Sequence, residues 1–118
     1  HQGSLLENPA DAVRMMEALW PTAGFTYDPS HWTMQAIPLP ETESLLPMTY
    51  HVHVRDAALD AMQARMGEGN VDVAWIVAAL REHGYDGAVA IEYFNEFDAD
   101  LASTRALRDR LVELGVRD

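Results

Sequence analysis

The sequence predicts an α/β protein built from parallel βα units. Helical and strand patterns alternate along the chain, in the order helix, strand, loop, strand, helix, strand, helix. In addition, residues 88–91 are apolar at every position, which is typical of a parallel strand that is covered on both faces. With 118 residues, 48 % of them hydrophobic, the chain is expected to form a single domain, residues 1–118, around a real core.

The first half of the chain is expected to supply a helix, a short strand and a loop. Asn8 can serve as an N-cap, with Pro9 at the first helical position and an apolar stripe behind it. Residues 25–28 form a short strand pattern that ends on a carboxylate. Residues 36–47 contain three prolines and no clear period, so they are expected to form a loop with one helical turn around residues 43–46.

The second half begins with a strand pattern over residues 50–56. Residues 57–66 have apolar residues at helical spacing, but over a length too short to define a helix. Asp72 is expected to cap the clearest helix, which Gly84 closes in the left-handed conformation. A last helix is predicted over residues 100–114, and its inward positions are Leu101, Thr104, Leu107, Leu111 and Leu114.

Composition narrows the classes of function. The formal charge is −11, which argues against a nucleic acid or an anionic membrane as the partner, because both would repel the protein. Cysteine is absent, so any metal site has to use His, Asp and Glu. Neither an apolar run of about 18 residues nor a signal-peptide pattern is visible, and a soluble, cytoplasmic protein is therefore expected.

The strand at residues 50–56 has two chemically different faces. A period of two places His51, His53 and Arg55 on one face and two valines, Val52 and Val54, on the other. If the valines pack against a core, the opposite face suits a metal or an anionic, hydroxyl-rich ligand. The alternative is an exposed polar face that binds nothing.

Polar residues lie near the ends of three predicted strands: Asp28, His53 and Glu92. The carboxyl ends of parallel strands converge on the face where α/β proteins bind ligands. One Asp, one His and one Glu form a ligand set suited to Mn²⁺, Mg²⁺, Co²⁺ or Zn²⁺. His31 and His51 lie nearby in the sequence as outer-shell, substrate-binding or second-metal candidates, although strand-end carboxylates also commonly cap helices.

Several of these segments resemble the xylose-isomerase-like barrels, a superfamily of sugar isomerases and epimerases, inosose dehydratases and apurinic-site endonucleases. The matching segments are Asp28-Pro29-Ser30-His31, residues 51–56, residues 67–72 and residues 84–93. His1-Gln2-Gly3-Ser4, followed by Asn8-Pro9, also resembles the end of the fifth barrel strand. The resemblance implies the C-terminal portion of a (β/α)8 TIM barrel, strands six to eight with their helices, as an incomplete barrel.

The resemblance also implies roles for individual residues. The implied metal ligands are Asp28, His53 and Glu92, and the implied catalytic residues are Glu92 and His31. Residues on the substrate side would be His31, Arg55, Arg65 and Trp32, with Asp56 beside them. For Trp32, packing in the core is an equally good interpretation.

The family uses a further ligand, a Glu at the end of its fifth strand, upstream of the segment that His1 matches. This sequence does not contain that Glu, so we expect this chain alone to be incomplete as an enzyme. Three parallel strands cannot close a barrel, which takes about 250 residues. We therefore expect a fragment of a longer enzyme, a chain that pairs with a separate first half, or a self-associating protein.

The function that the resemblance implies is a metal-dependent sugar or sugar-phosphate isomerase or epimerase, or its C-terminal part. It would act on a small-molecule sugar, moving a proton through a metal-stabilised enediolate. The first alternative is a metal-binding or self-associating remnant of the fold without turnover. A second alternative is a nuclease similar to the apurinic-site endonucleases, against which the charge of −11 argues.

Overall fold

A three-stranded parallel sheet organises the protein. The computed structural model describes residues 3–117, so the predicted fifth-strand match at His1 lies outside the described residues. The strands are β1 (Phe25–Tyr27), β2 (Thr49–Val54) and β3 (Val89–Ile91), paired in that order. The α/β class with parallel strands is therefore confirmed. Within residues 3–117 the sheet does not close into a barrel, as expected for part of a TIM barrel.

Four α-helices are present among the described residues, and they are α1 (Pro9–Leu19), α2 (Ser30–Thr33), α3 (Val73–Glu82) and α4 (Ala102–Glu113). The predicted caps are confirmed. The side chain of Asn8 accepts hydrogen bonds from two backbone N–H groups at the start of α1, and Asp72 accepts one from Trp75 at 2.9 Å. Gly84 follows the C-terminal end of α3 in the left-handed conformation, with a φ of 70°. No helix in the described part of the chain is long and apolar enough to cross a membrane.

The segment predicted as a loop with a single helical turn forms a longer element. Leu39–Met48 is a 3₁₀ helix, and residues 45 and 46 in its middle are both buried leucines. The hydroxyl of Thr42 donates to the carbonyl of Leu39 at 2.7 Å inside this segment. The sequence did not predict this element, because it contains prolines and lacks a helical period. Burial of its leucines, and not local helical propensity, stabilises it.

Residues 57–66, whose apolar spacing is too short to define a helix, form turns and an isolated bridge between Ala58 and Ala61. Two further details differ from the sequence expectation. The strand β2 ends at Val54 and does not reach residue 56. Leu101 is 51 % exposed because it precedes α4 in the left-handed conformation, with a φ of 57°.

The two faces of the sheet differ as the alternation in β2 predicts. Tyr27, Val52 and Val54 are fully buried in the hydrophobic core. The opposite face pairs exposed Thr26 with half-buried His51 in the β1–β2 register. This polar face leads along the strands to the residues of the predicted site.

Tyr27 has a polar contact inside this core. Its hydroxyl lies 2.8 Å from the hydroxyl of Thr42 and donates to it, since the Thr42 proton is directed at Leu39. Burial raises the pKa of Tyr27 from 10.0 to about 12.

We expect the stability of the protein to fall between pH 10 and about pH 12. In this range the phenol of Tyr27 ionises in the unfolded chain but stays protonated in the core. Ionisation therefore stabilises the unfolded state and lowers the free energy of unfolding. The expected contribution is about 2–3 kcal/mol, fully present below pH 10 and lost as the pH rises towards 12. Urea unfolding of Tyr27→Phe across this range is the check. The free energy of unfolding of the variant should not show this fall between pH 10 and about pH 12. If it fell with pH as steeply as that of the wild type, Tyr27 would not be the group responsible.

Candidate metal centre

Asp28, His53 and Glu92 meet at the carboxyl end of the sheet. Asp28 directly follows β1, His53 lies near the end of β2, and Glu92 directly follows β3, where its N–H donates to the carbonyl of Val54 at 3.1 Å. One donor atom from each side chain lies within 4.8 Å of the other two. Ligand atoms about 2.1 Å from a shared ion are at most about 4.2 Å apart, so small side-chain rotations would complete the site.

The donor chemistry fits a divalent cation. Two carboxylates and one imidazole match the hard-to-borderline ligands that Mn²⁺, Mg²⁺, Co²⁺ and Zn²⁺ use in proteins. The Asp28 residue is only 8 % exposed, whereas the side chains of His53 and Glu92 are 28 % and 39 % exposed. The site is therefore closed on its Asp28 side and open to solvent on the other.

A cavity of about 560 Å³ adjoins the three residues, a volume within the usual range for small-molecule sites. Its polar wall consists of Asp28, His31, His53 and Glu92, and its apolar wall includes Met15, Met16, Leu19 and Trp32. A larger cavity of about 780 Å³ lies between α3, β3 and α4, but its lining residues include no histidine and no glutamate. The chemistry of the lining residues therefore favours the smaller cavity as the candidate ligand site.

Arg55 lies between the two carboxylates of the site. Its Nη2 is 2.5 Å from Oδ2 of Asp28, and its Nη1 is 2.7 Å from Oε2 of Glu92. Its remaining contacts are to neutral acceptors: Nε donates to the Ser30 hydroxyl at 3.0 Å, and Nη1 donates to the Glu92 carbonyl at 3.0 Å. The residue is 2 % exposed, and the ring centroid of Phe94 lies 5.4 Å from the guanidinium carbon.

Sequence reasoning gave neither Ser30 nor Phe94 a definite role. Ser30 donates its N–H and its hydroxyl proton to Oδ1 of Asp28, at 3.0 and 2.5 Å, while its hydroxyl oxygen accepts from Arg55. The sequence signal was a Ser two residues after an Asp, a common turn pattern in which the carboxylate accepts nearby backbone N–H groups. Phe94 carried no signal beyond its position two residues after Glu92.

The histidines take different positions. Nε2 of His31 lies 3.5 Å from Oδ2 of Asp28, and the residue is 8 % exposed. Burial lowers the pKa of His31 below its usual 6.5, and the neighbouring Asp28 carboxylate opposes this only partly, so the imidazole is neutral at neutral pH. The rings of His51 and His53 pack edge to face, with their centroids 4.8 Å apart.

The residues predicted on the substrate side lie at different distances from the candidate site. Trp32 is 3 % exposed and packs against Phe25 and Tyr27, with centroid distances of 6.1 and 5.3 Å, although it also lines the 560 Å³ cavity. Arg65 is exposed and is not among the residues that line this cavity. Arg55 contacts two of the three candidate metal ligands, Asp28 and Glu92.

Asp56 was also expected on the substrate side, but its side chain points into the loop that follows it in the chain. It is 3 % exposed, and its two carboxylate oxygens accept four backbone N–H groups, at distances of 2.9 to 3.2 Å. The donors are Ala57, Gly67, Gly69 and Val71. Its own N–H donates to the hydroxyl of Tyr93 at 2.9 Å. These contacts give Asp56 the role of holding the loop that follows β2.

Comparison with known proteins agrees with the fold. The family described as xylose isomerase-like TIM barrel matches residues 1–112. An uncharacterized protein of Methanocaldococcus jannaschii is similar, at 34 % identity over 80 residues, which are 64 % of this chain and 27 % of that protein. The match thus spans about a quarter of the relative's length. Because the family match covers nearly the whole chain, the protein belongs to the xylose isomerase-like TIM barrel family.

Proposed function

We propose that this chain provides part of a metal-dependent active site that isomerises or epimerises a sugar or sugar phosphate. The observation that carries the proposal is the convergence of Asp28, His53 and Glu92 beside a cavity of about 560 Å³. Membership of the xylose isomerase-like family supports it. Since the curated relative is matched over 27 % of its length, full turnover is proposed for the completed site, whereas exchange of the proton beside the carbonyl, which needs only the ion and the Glu92 carboxylate, is proposed for this chain.

The proposed roles follow from position. A divalent ion, when bound, would polarise a sugar carbonyl and its neighbouring hydroxyl. Asp28, His53 and Glu92 would hold the ion, with Asp28 on the closed side of the site. Glu92 lies on the solvent side, where its carboxylate can take a proton from the carbon next to the carbonyl and return it. His31, as a neutral imidazole, would hydrogen-bond a sugar hydroxyl.

A second candidate is a metal-binding module of this fold without turnover. It is favoured by the open sheet of the described residues, which leaves the cavity at the ligand face incompletely walled. This candidate needs the same three ligands and predicts the same metal affinity. The two candidates differ only in proton chemistry.

Proton exchange separates the two. The protein is incubated in D₂O with Mn²⁺ or Co²⁺ and a panel of ketoses and ketose phosphates, and deuterium incorporation beside the carbonyl is followed by NMR. The proposal predicts metal-dependent exchange with at least one sugar, abolished by EDTA. Metal binding without exchange for any sugar would contradict the isomerase proposal and support the second candidate.

A further inference from the structure

The guanidinium of Arg55 pairs with both acidic members of the proposed ligand set. It is 2.5 Å from Oδ2 of Asp28 and 2.7 Å from Oε2 of Glu92. We propose that Arg55 is a built-in counter-ion that competes with the divalent cation for these carboxylates and so sets the metal affinity of the site. The inference rests on the proposed metal site and goes beyond it in assigning a role to a residue that is not a ligand.

The charges at the site explain why such a counter-ion is needed. Two carboxylates lie close together, one of them largely buried, and like charges at this distance repel strongly where water is excluded. Arg55 brings one positive charge between them, so the ligands remain gathered without a metal. A cation that binds Asp28 and Glu92 has to draw these same carboxylates away from the guanidinium.

Arg55 is held in place by more than the two carboxylates. The Ser30 hydroxyl and the Glu92 backbone carbonyl accept from it, and neither group is needed by a metal. The Phe94 ring lies over the guanidinium as a further favourable contact for a cation. The positive charge therefore stays beside the site after the carboxylates turn, and it repels the bound ion. Removing this charge should tighten metal binding.

The test compares Mn²⁺ binding by the wild type and Arg55→Gln, measured by isothermal titration calorimetry. The proposal predicts that the dissociation constant of Arg55→Gln falls by at least about tenfold, because a single charge so close to a divalent ion is a large repulsion in a water-poor site. Arg110→Gln is the matched control. It removes the same charge from an exposed i,i+3 pair on α4 and should leave the dissociation constant unchanged.

A loss of folding is separated from a change in affinity. Circular dichroism is recorded for each variant in EDTA, and Arg55→Met, whose apolar chain can pack against Phe94, replaces the glutamine variant if that one is unfolded. Arg55→Lys, which keeps the charge, should stay within about threefold of the wild type. If both neutral variants are unfolded even with Mn²⁺, Arg55 is needed for folding itself and the competition proposal is wrong.

The outcomes distinguish this inference from the proposed function. Equal or weaker Mn²⁺ binding by a folded neutral variant overturns the inference, since Arg55 would then order the carboxylates for the metal. Binding by neither protein overturns the inference together with the metal site. Tighter binding by the variant, without sugar proton exchange in the wild type, supports the inference and overturns only the isomerase proposal.

Discussion

Asp56→Ala is expected to lower the free energy of unfolding by about 3 kcal/mol or more. The buried carboxylate accepts four backbone N–H groups, and alanine leaves these donors without their acceptor. For a domain of this size the loss corresponds to a melting temperature about 10 °C lower or more. Thermal and urea unfolding, followed by circular dichroism, measure the change.

Two variants serve as controls for this prediction. Asp56→Asn keeps one acceptor oxygen and should lose less than Asp56→Ala. Asp109→Ala removes a carboxylate whose side chain is 66 % exposed on α4, and its effect should stay within about 0.5 kcal/mol. If Asp56→Ala were no less stable than Asp109→Ala, the loop would not depend on Asp56.

The role of Asp56 shows where sequence reasoning reached its limit. Its backbone donors lie up to 15 residues ahead, at Val71, and no period or spacing in the sequence connects them. In the sequence, Gly69 belongs to residues 67–72, one of the segments that resemble the family, and nothing in that segment links it to Asp56. A Cβ on Gly69 would lie 2.1 Å from Oδ1 of Asp56, so the glycine is required by the close approach of the carboxylate.

The helix caps and the parallel sheet could be predicted because their causes are local. Asn8 and Asp72 act within three residues of their own positions, and β2 follows a simple alternation. The grouping of the three candidate ligands also followed from local patterns, since parallel strands bring their carboxyl ends together.

The 3₁₀ helix at Leu39–Met48 and the pairing of Arg55 depend on distant contacts. In the first case burial stabilises a proline-containing segment that lacks helical periodicity. In the second, a residue predicted to face substrate reaches Asp28 and Glu92, 27 and 37 positions away in the chain. Long-range packing of this kind leaves no local pattern in a single sequence.

Glu92→Gln is expected to weaken Mn²⁺ binding by at least about a hundredfold, more than the usual loss on altering a residue that only supports a ligand. The amide removes one of the two anionic donors from the proposed set. Isothermal titration calorimetry measures the affinity.

Glu96→Gln is the matched control for this variant, since it changes an exposed glutamate four residues away by the same charge. Its Mn²⁺ affinity should equal that of the wild type. The stability of Glu92→Gln should fall by only about 1 kcal/mol, because the Glu92 side chain is 39 % exposed and Arg55 keeps its contact with Asp28. Equal affinities for the two variants would remove Glu92 from the ligand set.

Line broadening by Mn²⁺ in a ¹H–¹⁵N NMR spectrum tests most directly whether the three residues share one ion. Paramagnetic broadening falls steeply with distance, so substoichiometric Mn²⁺ should first remove the signals around Asp28, His53 and Glu92, and this loss should disappear in Glu92→Gln. Broadening that is uniform along the chain, or centred on the exposed carboxylates of α4, would contradict a metal centre at the carboxyl end of the sheet.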